Sequence, residues 1–600
     1  MGTRKLKTRD EIESTYKWNI EAMYKDAEAW NSDIDEIMAK TEAFSGRQGH
    51  VADSALSLAD ALKEKAAIWQ KLERAYVYAR MKLDENNGDP TQQAMHDKVN
   101  MVIAKVSAAM SFMTPEMVEA GEDTLRKYLK EEPALSVYRF MIEDLIREQQ
   151  HVLSSAEEKI LAQVSEVTDA SGTIFTMLNN ADLKFGTITD TNGDTVEVTH
   201  GNYISFMQSH DREVRKAAYT TVYESYKGLI NTIATAYSYN VKTDVVGARI
   251  RKYDSSRASA LSGGNIPESV YDNLVSVVNE NLPALHKYIA LRKKLLGVDE
   301  LKMYDVYVPV VELPKREVTF KEAVSIMNEG LAPMGQAYLD QVNKGISQGW
   351  IDVMENEGKT SGAYSFGSYD SYPYILMNFD STLQDVFTLV HEMGHSMNSY
   401  YTRRYEPFAY GDHSIFTAEV ASTVNESLLM KYLLNKETDK DMRRYLLNMY
   451  LEEFRTTLFR QTMFAEFEAT AHKYVEDGGS LTADWLCSEY DKLNTRYFGE
   501  ALAPDDYIRY EWARIPHFYR AFYVYQYATG YSAATAISKK ILEEGAPARD
   551  AYLDFLKRGS SDYPVELLKI AGVDMSSKEP IEMAMTTFSA LVDEFEKSFE

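Results

Sequence analysis

The chain has 600 residues, with 65 basic against 91 acidic side chains and a formal net charge of −26. Such a surface repels phosphate backbones and anionic lipid, and no local basic patch offsets it, so neither nucleic acid nor a membrane surface is an expected partner. The 30 glycines and 15 prolines fall short of the usual shares of about 7% and 5%, while 45% hydrophobic residues suffice for a large core, so a mainly α fold is expected and disorder is excluded as the main state.

Cys487 is the only cysteine, which rules out an intramolecular disulfide and any cysteine-based metal cluster. The opening Met1-Gly2-Thr3-Arg4-Lys5-Leu6 runs into polar sequence without an apolar h-region, and no stretch approaches 18 uninterrupted apolar residues. The expectation is a cytoplasmic protein without a membrane span.

From about residue 8 to 180 the pattern is helical nearly throughout. Leu58, Leu62, Ala66, Trp69, Leu72, Tyr76, Ala79 and Leu83 recur at steps of four and three, one apolar stripe of a long helix. The run Asn86-Asn87-Gly88-Asp89-Pro90 ends it. Leu183–Thr189 and Thr195–His200 flank Thr191-Asn192-Gly193-Asp194, a hairpin signal. A domain boundary is placed there, giving an N-terminal helical domain of residues 1–195 and a second domain of residues 196–600. Ser262-Gly263-Gly264-Asn265 reads as a turn between helices. Two short strands are expected at Gly362–Gly367 and Tyr374–Phe379, and helices resume to the end.

His391-Glu392-Met393-Gly394-His395 carries the chemistry. Leu383, Phe387, Val390 and Met397 supply helical periodicity around it, with Ser381 and Gln384 as a capping box. One turn apart on one face, His391 and His395 can both reach a single tetrahedral zinc, one per chain. Glu392, rotated by about 100°, can reach a water on the metal without ligating it. A catalytic zinc wants three protein ligands and one open position. The metzincin solution needs glycine at 398 and histidine at 401, where this chain has Asn398 and Tyr401. Glu419 and Glu426, seven residues apart on a downstream helix, offer carboxylates instead, and Ala418, Ala421 and Ser422 are small enough to let that helix come close. Glu419 is the expected third ligand. Glu426 is then either an acceptor that orients a ligand imidazole or an ordinary salt-bridged glutamate. His413 competes as a ligand from a loop before the helix.

An oxyanion formed by attack on a carbonyl needs further donors. In Pro516-His517-Phe518-Tyr519-Arg520-Ala521-Phe522-Tyr523-Val524-Tyr525-Gln526-Tyr527, Tyr519, Tyr523 and Tyr527 stand at i, i+4 and i+8 beside His517. They line one helical stripe that either donates hydroxyls or simply packs.

These pieces, with Ala418-Glu419-Val420-Ala421-Ser422-Thr423, Arg460-Gln461-Thr462-Met463-Phe464-Ala465-Glu466-Phe467-Glu468 and Tyr16-Lys17-Trp18-Asn19-Ile20, resemble the thimet-oligopeptidase-type zinc peptidases, and most of all the bacterial oligoendopeptidase F group. The resemblance runs along nearly the whole chain. It implies a large, two-lobed, zincin-like helical body with a deep central channel and a small β element next to the zinc helix. It implies internal cleavage of short unstructured oligopeptides. His391, His395 and Glu419 carry over as ligands and Glu392 as base. His517 and Tyr523 carry over as oxyanion donors, Tyr519 and Tyr527 lie beside the substrate, and the strand at Gly362-Ala363-Tyr364 pairs with substrate backbone. Asn398 departs from a His-Ser-Met-His continuation at a position that is not a ligand. Two other readings compete with the endopeptidase. A zinc carboxypeptidase of similar fold would use Arg514 or Arg520 to grip a terminal carboxylate. A peptide-binding protein with a structural zinc would need no base at Glu392.

Overall fold

The expected stripe from Leu58 to Leu83 forms one helix, Ala55–Glu85, in the computed structural model, which describes residues 6–312 and 317–600. Ser54 caps it by accepting from the Ser57 N–H. Asp89 caps the next helix, Pro90–Met110, with proline in its first turn, so the Asn-Asn-Gly-Asp-Pro run is a stop and a start in five residues. The chain divides into two compact units, one of Met1–Gln150, Arg316–Tyr432 and Ile537–Val573, the other of His151–Lys315, Leu433–Ala536 and Asp574–Glu600. The fold is mainly helical, with five short strands among the described residues.

In the first unit, Trp30, Ile34 and Ile37 of helix Ala27–Ser45 meet Leu58, Leu62 and Leu72 and then Val99, Val102 and Val106 in one core. Each such side chain, fully buried, contributes roughly 1.5–3 kcal/mol. Helix begins later than residue 8: the segment before Ala27 is a set of short 3₁₀ turns. Long-range contacts hold it there, since Arg9 pairs with Asp352 at 2.7 Å and the Trp18 N–H donates to the same carboxylate. Pro90–Ala120 is long and apolar enough to cross a membrane by length and composition, with mean hydropathy 1.2. In the structure this stretch is two successive helices, Pro90–Met110 and Met113–Ala120, and Val99, Val102, Val106 and Met110 are buried in the same core.

Strands form within both expected stretches but are shorter, β4 covering Tyr364–Phe366 without Gly362 and Ala363, and β5 covering Tyr374–Leu376; they follow β1 (Thr187–Thr189), β2 (Thr195–Glu197) and β3 (Ile351–Asp352). β4 pairs antiparallel with β5, Ser365 opposite Ile375, and β3, which the sequence did not suggest, pairs parallel on the other side. The order β3-β5-β4 leaves β4 at an edge. Buried Lys359 fastens the sheet, donating to the carbonyls of Met354 and Met377 at 2.7 and 2.6 Å and pairing with Asp352 at 2.7 Å. Tyr374 and Leu376 of β5 belong to the helical core.

The second unit holds the hairpin β1–β2, with Gly193 in the left-handed region its turn demands. Its helices Arg212–Gly228, Ile230–Ile250, Glu268–Glu280 and Arg460–Glu476 bury Tyr223, Tyr237, Tyr271 and Phe467. Of the chain's 41 tyrosines, these three serve packing.

Candidate metal centre and a second histidine cluster

The His391 motif lies in helix Leu383–Tyr405. Its cap is one residue later than expected: Thr382 and Asp385 form the capping box, and Ser381 sits at φ +62°. The Ser381 carbonyl is taken by the Val318 N–H at 2.9 Å, which fixes the turn there and leaves Gln384 outside the box.

Glu419 enters from helix Ile415–Lys436. The two helices approach closely at Gly394. A Cβ on Gly394 would stand 2.6 Å from the Ala421 carbonyl oxygen and 2.6 Å from the Ser422 Cα. Both obstacles are backbone, so neither can swing aside. Gly394→Ala is therefore expected to push the helices apart, at about 1–3 kcal/mol of stability, and to weaken metal binding; thermal unfolding and metal content on one sample check both. An unchanged Tm with full metal would show that this contact does not set the site.

At the contact, the Nε2 atoms of His391 and His395 lie 3.2 Å apart, and each is 3.4 Å from Glu419 Oε2. These three residues form a group that could hold a metal ion. The Ser422 hydroxyl, fully buried, donates to the same Glu419 oxygen at 3.0 Å. His391 Nδ1 faces Glu426 Oε2 at 3.2 Å, the carboxylate–imidazole arrangement that orients a ligand. Burial works against a charge on His391, yet the Glu419 and Glu426 carboxylates outweigh it and push its pKa up to about 11. Burial likewise works to raise Glu419, and the two imidazoles overcome it, holding the carboxyl well below the usual range. The site thus concentrates negative charge around two imidazoles, a field suited to a divalent cation. His413 stands outside this group, before the helix.

Glu392 is 7% exposed on the same helix. Burial raises its pKa, partly offset by the neighbouring histidines. Nearby, β4 is tied to the helix by the Ser365 and Ser396 hydroxyls at 2.8 Å. Gly362 adopts φ +83° with open space around its α-carbon, Ala363 follows, and the Tyr364 hydroxyl donates to Asp84 at 2.7 Å. The strand's outer edge has no partner strand among the described residues.

In the second unit the expected tyrosine stripe is broken. Pro516–Tyr519 is a 3₁₀ turn, helix resumes only at Tyr525, and Phe522 between them has φ +51°. For a phenylalanine this left-handed geometry costs about 1–3 kcal/mol. The break turns Tyr519 onto Phe175, rings 4.3 Å apart, with its hydroxyl buried and unbonded among the described residues. It also wraps the other two tyrosines around His517. Tyr523 stacks parallel to the imidazole at 5.9 Å, and the Tyr527 hydroxyl lies 3.3 Å from His517 Nε2. Burial, with Arg460 and Arg520 nearby, lowers the His517 pKa and favours the neutral ring. Arg520 covers the Tyr523 ring at 4.2 Å. Arg514 lies over Tyr203 at 5.1 Å and lines a cavity of about 110 Å³ with His200 and Tyr226.

The family model of Peptidase family M3 matches residues 205–587, and that of Oligopeptidase F matches residues 116–185. Oligopeptidase PepF of Bacillus subtilis is 47% identical over 99% of this chain and 88% of its own. Group B oligopeptidase PepB of Streptococcus agalactiae is 42% identical over 98% of each chain. Among solved structures, oligoendopeptidase-F of Enterococcus faecium superposes with a TM-score of 0.75 at 40% identity, covering 95% of this chain and 98% of that one. The chain belongs to peptidase family M3, in its oligoendopeptidase F group, and is a metalloendopeptidase.

Proposed function

We propose that this metallopeptidase is zinc-dependent and cuts internal bonds of short, unstructured oligopeptides, with Glu392 as its general base. The observation that carries the reading is the donor triangle of 3.2, 3.4 and 3.4 Å. Ligand atoms bound at 2.0–2.2 Å around a tetrahedral zinc stand about 3.3–3.6 Å apart. His391, His395 and Glu419 would hold the ion, and Glu426 would keep the His391 ring in register. Bound there, zinc would polarise the scissile carbonyl and acidify the attacking water. Glu392 would take a proton from the attacking water on its carboxylate and return it to the departing amine nitrogen. Neutral His517 and Tyr523 each have a donor for the developing oxyanion, with Tyr527 holding the imidazole. The free edge of β4, with the Gly362-Ala363 segment that leads into Tyr364, is assigned to substrate backbone, as strand addition requires an unpaired edge. The single cysteine, buried at Cys487, accords with a cytoplasmic setting.

The test is cleavage of mixed peptides of 5–15 residues, read by mass spectrometry, with and without chelator and after readdition of zinc. Internal cuts that stop with chelator and return with zinc are expected, and C-terminal amidation should not affect them. Loss of single C-terminal residues that amidation blocks would transfer the site to exopeptidase chemistry.

A further inference from the structure

The Arg460–Glu476 helix carries a buried polar group that the metal centre does not use. Glu468 is fully buried. Its Oε1 accepts from the Phe522 N–H at 2.8 Å, and its Oε2 has no hydrogen-bond partner among the described residues. One turn on, His472 is also buried. Its Nδ1 faces the Glu468 carbonyl at 2.9 Å and its Nε2 faces Asp244 Oδ2 at 3.2 Å. The imidazole lies against the Phe522 ring at 4.7 Å. Asp244 in turn accepts from Asn240 at 3.3 Å, and the Asn240 amide reaches the Phe518 carbonyl at 3.5 Å. The network therefore touches the backbone on both sides of the break between His517 and Tyr523.

We propose that Glu468 is a positioning residue: by accepting the Phe522 N–H it holds the left-handed turn that lays Tyr523 parallel to His517. The inference rests on the reading of those two side chains as oxyanion donors. An unstrained backbone at Phe522 would relax toward negative φ, and the peptide that carries Tyr523 would rotate with it. Packing of the Phe522 ring against His472 and Tyr271 resists the relaxation, and the Glu468 acceptor resists it at the backbone itself, because a buried N–H left unpaired is costly. Burial also pushes the Glu468 pKa up to about 8. The groups that face it are His472 on its own helix, Asp244 and Tyr237 on helix Ile230–Ile250, Tyr271 on helix Glu268–Glu280, and Tyr525. Glutamine keeps the side chain's shape and an acceptor oxygen for the Phe522 N–H.

The test uses the zinc-loaded full chain. Glu468→Ala is expected to lower kcat by about 10- to 100-fold, the scale of a misplaced reacting group, with KM and zinc content near those of the parent. Glu468→Gln should restore most of the rate. In a Tyr523→Phe background the Glu468→Ala loss should shrink sharply, since residues acting as a unit are not additive. If Glu468→Ala does not fold, Glu468→Met fills the volume without an acceptor and is read in the same way. A full additive loss in the double variant, or no loss in Glu468→Ala while Tyr523→Phe is impaired, overturns the positioning role alone. Unimpaired Tyr523→Phe and His517→Ala would remove the oxyanion assignment, and this inference with it.

Discussion

Glu392→Gln is expected to lower kcat by about 10²- to 10⁴-fold while zinc content and KM stay near those of the parent. The side chain follows His391 directly and stands three residues before His395, is only 7% exposed, and owes its raised pKa first to burial. Glutamine keeps the volume and polarity but cannot accept a proton, so only the proton transfer is removed. Steady-state kinetics with metal analysis by mass spectrometry checks this. Parental turnover with a full complement of metal would end the assignment of Glu392 as base.

The second large effect is expected at Glu419. Its Oε2 closes the triangle with both Nε2 atoms, so Glu419→Ala removes one of three ligands and leaves two imidazoles that share a helix. Nearly all bound zinc should be lost on dialysis, and activity with it. Glu426→Gln should be milder. Glu426 faces the far nitrogen of His391, and losses at such positions run to about 10- to 100-fold in metal affinity. Competition with a chromophoric chelator ranks the two variants. A Glu426 variant weaker than the Glu419 variant would reverse their roles.

The group of His391, His395 and Glu419 that could hold a metal was legible in the sequence because its signals are local: two histidines one turn apart, and a carboxylate amid small residues. The reason for those small residues was only half visible. Ala421 and Ser422 were read as permissive, whereas the residue that the contact requires is Gly394 opposite them. The cap was misplaced by one because Ser381/Gln384 and Thr382/Asp385 satisfy similar local patterns, and the choice is made by a distant amide, that of Val318. β3 has two residues, too few for any alternation to register. The broken stripe at residues 520–524 was the least visible. No glycine or proline marks it, and Phe522 is held at φ +51° in company with an acceptor more than fifty positions earlier in the chain. Spacing alone placed Tyr519 with Tyr523 and Tyr527, and only two of the three gather around His517.

The backbone contact at Gly394 also bears on which ion the protein accepts. Two helices touching without a side chain between them have little room to breathe, so main-chain packing sets the distance between the helices, while Glu426 and Ser422 hold the His391 and Glu419 side chains that project from them. A rigid frame of this kind discriminates by ionic size as well as by donor chemistry. Calcium, with bonds of about 2.3–2.6 Å and a demand for six or more oxygens, is poorly matched by two imidazoles and one carboxylate. Cobalt or manganese need far less adjustment, and exchange among such ions should leave the surrounding fold undisturbed.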